Sequence, residues 1–158
     1  MIGFMTFLKE GDKYIGGYLG TDDELSPVEF SFTQPIPEAT ILQKILYGAK
    51  FDQKWFGDLI AGTLFEGIQK KEDSNKKNVD IIFVSDNRML YLRRKTAEVP
   101  VVYINDNGEK IFFEKRDHQI ADQILKNIDI EYSNTTEVFT RIVNGIKEAM
   151  QSVQNKDQ

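Results

Sequence analysis

Two apolar runs, residues 2–8 (IGFMTFL) and 14–19 (YIGGYL), flank the polar turn Lys9-Glu10-Gly11-Asp12-Lys13. Gly11 and Asp12 tolerate the tight or left-handed backbone that such a turn needs. Further on, Val28, Phe30 and Phe32 alternate with Glu29, Ser31 and Thr33, the period of a half-exposed strand. These three segments predict an antiparallel meander. Pro35 and Pro37 hold the next stretch extended, because each bars a helix just before it. From Ala39 to Ala49 the apolar spacing changes to three and four, with Ile41, Leu42, Ile45 and Leu46 on one stripe and Gly48 placed to end the helix. A second, broader stripe from Phe51 to Gln69 predicts a buried helix with Trp55 in the core. Gly57, Gly62 and Gly67 each cost that helix roughly 1 kcal/mol against alanine, so it needs close tertiary packing.

The stretch from Asn78 to Asn105 carries the fold class. Val79 to Val84 is nearly all β-branched or aromatic, as suits a strand covered on both faces. Ser85, Asp86 and Asn87 are helix-capping types, and the spacing predicts a helix opening at Asp86. Met89, Leu90 and Leu92 follow, then Arg93, Arg94 and Lys95, cations that suit the negative end of a helix dipole. Pro100 opens a second strand, Val101 to Ile104. The result is one βαβ unit. The rival is a hairpin turning at Ser85-Asp86-Asn87, with Arg88 to Arg94 as a strand.

Asp106-Asn107-Gly108-Glu109 predicts a hairpin turn that returns the chain as Lys110 to Glu114. A helix is expected over Asp117–Ile128. Another follows from Asn134, where Asn134-Thr135-Thr136-Glu137 resembles a capping box, to about Val153. Its stripe, Val138 to Val153, either covers the sheet or pairs with another subunit. The expected fold is therefore α/β with a mixed sheet: an N-terminal antiparallel meander, a helical pair, one βαβ unit and C-terminal helices. A single domain spans 1–154, with a disordered tail at 155–158.

Composition narrows the function classes. The chain has 158 residues, 41% hydrophobic, and no apolar run near the roughly 20 residues of a membrane span. MIGFMTFLKEGDK has no basic region before its apolar residues, which argues against a signal peptide. The absence of cysteine removes disulfides and thiolate chemistry and fits a cytoplasmic protein. Within a net charge of −5, residues 70–95 hold eight cations against four anions. That local patch points to an anionic partner, although few phosphates would be neutralised at once, so nucleic-acid binding is expected to be weak and salt-sensitive.

The residues that carry chemistry elsewhere are sparse here. His118 is the one histidine; it has acids nearby but no second imidazole with which to bind a metal. Gly16-Gly17-Tyr18-Leu19-Gly20 is neither GxGxxG nor a phosphate-binding P-loop, and Asp22-Asp23-Glu24 lacks the spaced ligands of a calcium loop. No catalytic set, metal site or cofactor is therefore expected. Topology supplies the best candidate ligand site, because open α/β sheets bind ligands beyond the carboxyl ends of parallel strands. That edge would carry Ser85, Asp86, Asn87 and Arg88 from one strand, and Asn105 and Asp106 from the next. An anion would suit the helix start, with Arg88 clamping a phosphate and Asp86 as nucleophile or metal ligand.

One segment has a family likeness. Pro27-Val28-Glu29-Phe30-Ser31-Phe32-Thr33-Gln34-Pro35, Thr40, and Leu42-Gln43-Lys44-Ile45-Leu46-Tyr47-Gly48 resemble a pattern in an uncharacterised bacterial protein family. The likeness continues into Ser85-Asp86 and Pro100-Val101-Val102, covering roughly residues 15–105. It implies a shared fold and transfers no catalytic residue. The leading expectation is a cytoplasmic, non-enzymatic binding or assembly module. Its partner would be a second copy, in a homodimer that uses the C-terminal helix, or another protein. The alternatives are a phosphate- or nucleotide-binding, even hydrolytic, domain at the end of strand 79–84, and nucleic-acid binding through 70–95.

Overall fold

The computed structural model of the chain describes residues 1–70 and 78–156. The polar character of Lys70 to Asn78 predicts a loop there; its residues 71–77, and positions 157–158 of the expected tail, lie outside the described residues. Among the described residues the mixed sheet has seven strands, in the spatial order 27–32, 13–21, 2–10, 81–84, 101–104 and 110–112, with 36–37 also pairing 13–21. Strands β1 (Ile2–Glu10), β2 (Lys13–Thr21) and β3 (Pro27–Phe32) form the expected antiparallel meander. The first turn is closed by Gly11 in the left-handed region, at φ 60°. The short β4 (Ile36–Pro37) pairs with the start of β2.

The βαβ unit is present. Strands β5 (Ile81–Val84) and β6 (Val101–Ile104) run parallel, and β5 also runs parallel to β1. Between them lies a helix over Asn87–Lys95, capped by Asp86, so the hairpin alternative falls. It is wound as a 3-10 helix, in which side chains three apart eclipse. Met89 and Leu92 make one buried ridge, and Leu90 and Arg93 another. The Asp106–Glu109 turn, with Gly108 at φ 80°, returns the chain as β7 (Lys110–Phe112) beside β6.

Strand alternation feeds two cores. Ile81 and Phe83 join Ile2, Phe4 and Leu19 beneath helices α3 (Asp117–Ile124) and α4 (Tyr132–Lys156). Ile82 and Val84 join Met5 and Tyr18 beneath the helices of residues 51–70 and the 3-10 helix. Helices thus cover both faces of the sheet, which is why β5 has to be apolar at every position.

The two C-terminal helices depart from expectation. α3 stops at Ile124 rather than Ile128. α4 begins at Tyr132, so Asn134 lies inside its first turn and accepts from the Glu131 N–H, while Glu137 pairs with Arg141 instead of reaching back. The same helix continues through Lys156, beyond the tail boundary expected at 154. Its Val138, Ile142 and Ile146 are buried against the chain's own sheet, so this part of the stripe is covered in cis, while Val153 is exposed. On the edge strand β3, the apolar face lies largely beyond the cover of α4: Val28, Phe30 and Phe32 are exposed, and the Phe30 ring lies against Gly145.

The helix of residues 51–70 is π-wound over Gln53–Ala61 before continuing as α2 (Gly62–Lys70). Its glycines divide by environment. A Cβ on Gly57 would lie 2.6 Å from the Tyr91 Cβ and 3.3 Å from its carbonyl carbon, so two helices touch there almost through backbone. Nothing lies within 4 Å of a Cβ on Gly67. Gly67→Ala should therefore gain about 1 kcal/mol of helix propensity. Gly57→Ala should lose a net 1–3 kcal/mol, roughly the cost of overpacking, despite the same propensity gain. Urea midpoints of the two variants that move in the same direction would refute this reading of the Gly57 contact.

A buried phenol adds a pH dependence. Tyr18 is fully buried next to Glu29. Burial first, and the neighbouring carboxylate second, push its ionisation far above the ordinary 10.0. Above about pH 10 the unfolded phenol releases its proton while the folded one keeps it, so the folded state holds more protons and stability falls as pH rises. Urea midpoints measured between pH 8 and 11 should drop more steeply for the wild type than for Tyr18→Phe. Equal slopes would mean that Tyr18 ionises normally.

Candidate functional site

The six candidate residues do stand at the carboxyl ends of two adjacent parallel strands, but their side chains do not converge. Asp86 caps the 3-10 helix by accepting from the Arg88 N–H at 2.9 Å. The Arg88 guanidinium returns two further bonds, Nε to Oδ1 at 2.9 Å and Nη2 to Oδ2 at 2.8 Å. It also lies over the Phe56 ring, 3.7 Å from its centre. Burial works to raise the Asp86 carboxyl, yet the hydrogen bonds and charge of Arg88 outweigh it and hold Asp86 below its ordinary value. Asp86 in turn raises Arg88, chiefly through their hydrogen bonds. The two charges satisfy each other, and neither group is poised for proton transfer near neutrality.

Ser85 points to the opposite face. Its hydroxyl shares a 2.7 Å hydrogen bond with Thr6 and borders a recess of about 500 Å³ with Tyr132, Thr136, Asn144 and Lys147. Asn105 turns its Oδ1 onto the N–H groups of Asn107 and Glu109, at 3.1 and 2.9 Å, and so builds the hairpin. Asp106 and Asn87 are exposed, and Asp106 borders a separate recess with Lys110, Asp129 and Glu131. The edge is therefore two shallow recesses and one closed ion pair.

The basic stretch is half committed where its side chains are described. Arg88 is paired with Asp86, and Arg93 is buried on Asp117, which leaves Arg94 and Lys95 exposed at the helix end. His118 is exposed and packs on Phe112, with ring centres 4.2 Å apart. Among the described residues no three of His, Asp and Glu gather as metal ligands. Among them, too, no helix is long and apolar enough to cross a membrane.

The feature that sequence reasoning left out of the candidate site is α1 (Ile41–Tyr47), which forms as a helix ended by Gly48, as expected. Its start is built as a complete capping box: Thr40 Oγ1 accepts from Gln43 N–H, and Gln43 Oε1 accepts from Thr40 N–H. Gly48, at φ 56°, ends it by donating to the Lys44 carbonyl. The helix buries none of its residues. Ile41, Leu42, Ile45 and Leu46 are 78%, 63%, 68% and 75% exposed. Those four side chains span about 140° of the helix at 100° per residue, an ordinary core-facing stripe. Here the stripe faces outward, while Gln43 and Tyr47 on the other side turn toward the body.

Behind α1 runs a groove of about 320 Å³, lined by Gln43, Tyr47, Phe51, Trp55 and Leu59. Trp55, expected in the core, is only half-buried. It stacks on Phe51, with ring centres 5.8 Å apart, and meets Tyr14 edge-on at 6.1 Å. A sequence signal for the groove existed in hindsight: the apolar stripe of 51–69 is wider than one sheet face can cover, and Trp55 lies at its margin. No protein-family model matches the chain, and no curated protein matches it either.

Proposed function

We propose that this protein is a non-enzymatic binding and assembly module that docks another polypeptide on α1 and the groove behind it. The observation that carries the reading is the inversion of α1. A capped, well-formed helix presents its Ile and Leu stripe to solvent, while Gln43 and Tyr47 line the groove behind it. Scattered exposed apolar residues are ordinary, but a contiguous apolar helix face is the mark of an interaction surface. The half-exposed Trp55 beside it is the kind of aromatic anchor around which binding energy concentrates. Arg88, the cation expected to clamp a phosphate at the strand edge, is paired with Asp86 instead, which weighs against that form of the ligand-binding alternative.

A photo-crosslinking residue at Ile45, in cells, tests the reading. A discrete polypeptide adduct is expected there and not from the same probe at the exposed α3 position Gln119. Leu42→Glu with Leu46→Glu should abolish the adduct. No adduct at Ile45, or equal adducts at both positions, would end this reading.

A further inference from the structure

We infer that the recess between the strand ends and α4 binds a small polyhydroxylated acid, a sugar acid in chemical class. Lys147 and Ser85 would hold its carboxylate, and Thr136, Thr140 and Asn144 its hydroxyls. The site lies on the α4 side of the sheet, away from the groove behind α1, and goes beyond the docking reading. Topology places it. β1, β5 and β6 run parallel, β1 passes the chain to β2 on one side, and β5 passes it toward β6 on the other. Ligands of open α/β sheets sit in the crevice where such connections part, beyond the carboxyl ends of the strands. The recess opens there, with Ser85 and Ile104 from the strand ends and α4 as its far wall. Its volume of about 500 Å³ falls within the roughly 300–1,000 Å³ of small-molecule sites.

Hydrogen bonding gives the lining a direction. Thr6 is buried, and its hydroxyl has one partner among the described residues, the Ser85 hydroxyl at 2.7 Å. A buried hydroxyl proton without an acceptor is costly, so the Thr6 proton occupies that bond. The half-buried Ser85 therefore accepts from Thr6 and has its own proton free for the recess. Thr136 and Thr140 are the reverse. Their hydroxyls donate to the Tyr132 and Thr136 carbonyls, both at 2.9 Å, and keep lone pairs for a ligand. Asn144 offers an amide donor and an acceptor. Lys147 is the one charged residue of the lining, and among the described residues it joins no ion pair.

That inventory selects the ligand. One cation and no carboxylate line the recess, so it takes an anion. A single ammonium suits one carboxylate better than the nearly double charge of a phosphate monoester. The two threonines call for donors, and a molecule that is both an anion and a donor is a hydroxy acid. Thr136, Thr140 and Asn144 follow one another at successive turns, about 5.4 Å apart along the helix, so several hydroxyls on one skeleton are needed to meet them. Helical side chains lean toward the N-terminus, which brings Lys147 back over the turn of Asn144. Phe139, Val143 and Ile104 give the apolar surface on which the carbon skeleton rests.

The experiment titrates the isotope-labelled full chain and follows its amide chemical shifts. The probes are glucuronate, glucose, acetate, glycerol phosphate and acetyl-glycyl-glycine. Glucuronate should bind with a Kd on the order of 1 mM or lower, moving the amides of Ser85, Thr140, Asn144 and Lys147 together. Glucose lacks the acid and acetate lacks the hydroxyls. Each should bind at least about tenfold more weakly, the order set by a hydrogen bond to a charged group. Lys147→Met should weaken glucuronate about tenfold and leave glucose unchanged. Thr140→Val should weaken both sugars severalfold. Both side chains are exposed, so neither variant should alter the circular dichroism spectrum. The inference is overturned if these amides show no saturable shift, or if Lys147→Met binds glucuronate like the wild type. Tighter binding of glycerol phosphate, or of the peptide acid, overturns it as well. None of these outcomes depends on the Ile45 crosslink.

Discussion

Asp117→Ala should destabilise the protein by about 3–5 kcal/mol, the cost of breaking a buried ion pair from one side. Arg93 is 3% exposed and Asp117 is fully buried. Arg93 Nε donates to Oδ2 at 2.8 Å and Nη2 to Oδ1 at 3.3 Å, and Nη1 donates to the Ala97 carbonyl. Glu114 is the nearest further carboxylate, 3.8 Å from Nη2 and partly in solvent. Removing Asp117 leaves a guanidinium that can be neither deprotonated nor rehydrated without opening the edge where the 3-10 helix meets α3. A native domain has only about 5–15 kcal/mol in hand, so the loss is a large share of the total. Replacing both partners, as in Arg93→Met with Asp117→Leu, should recover most of it, since two apolar groups leave no stranded charge. Urea unfolding of the two single variants and the double variant closes the cycle. A cost near 1 kcal/mol for Asp117→Ala, or a double variant as unstable as the worse single one, would show that the pair is solvated in practice.

The same pair marks where the sequence stopped being legible. Arg93, Arg94 and Lys95 read alike along the chain, as cations at a helix end. What separates them is the 3-10 winding, which puts Arg93 directly over Leu90 on the inward ridge and leaves Arg94 outside. Its carboxylate partner lies 24 positions later, and local pattern carries no information about that pairing. Strands were far more readable, because alternation and unbroken β-branched runs state burial directly. The meander, the parallel β5 and β6 and the β6–β7 hairpin all stand where the pattern put them.

The candidate site was legible only in its position. The rule that placed Ser85, Asp86, Asn105 and Asp106 on one edge concerns backbone. Side-chain direction depends on strand parity and on local hydrogen bonds: Ser85 and Asp86 fall on opposite faces, and Asn105 folds into its own turn. α1 was legible as a helix ended by Gly48 but not as an exposed one. Periodicity of three and four shows that a helix has an apolar side, and it is silent on whether this chain or another covers that side.

α4 is the counter-case, and it yields the second large effect. Ile146→Asp should unfold the protein at ambient temperature or leave it only marginally stable. Ile146 is fully buried and lies against Gly17 of β2, where an added Cβ would come 2.8 Å from its Cδ1 and 2.4 Å from Ile142 Cγ2. The strand has a glycine at that point because the helix occupies the space a side chain would take. A carboxylate at 146 would face Gly17, Ile142 and the apolar inner core, with no donor from the strand opposite. Such a group either remains charged at a cost of several kcal/mol or takes up a proton at a raised pKa, and its stability loss is then greatest at high pH. Val153→Asp on the exposed end of the same helix should change stability by no more than about 0.5 kcal/mol. Thermal melts of the two variants at pH 5 and pH 8 make the comparison. A soluble Ile146→Asp chain that melts like the wild type and has merely lost a partner would place this helix in an interface between chains instead of on its own sheet.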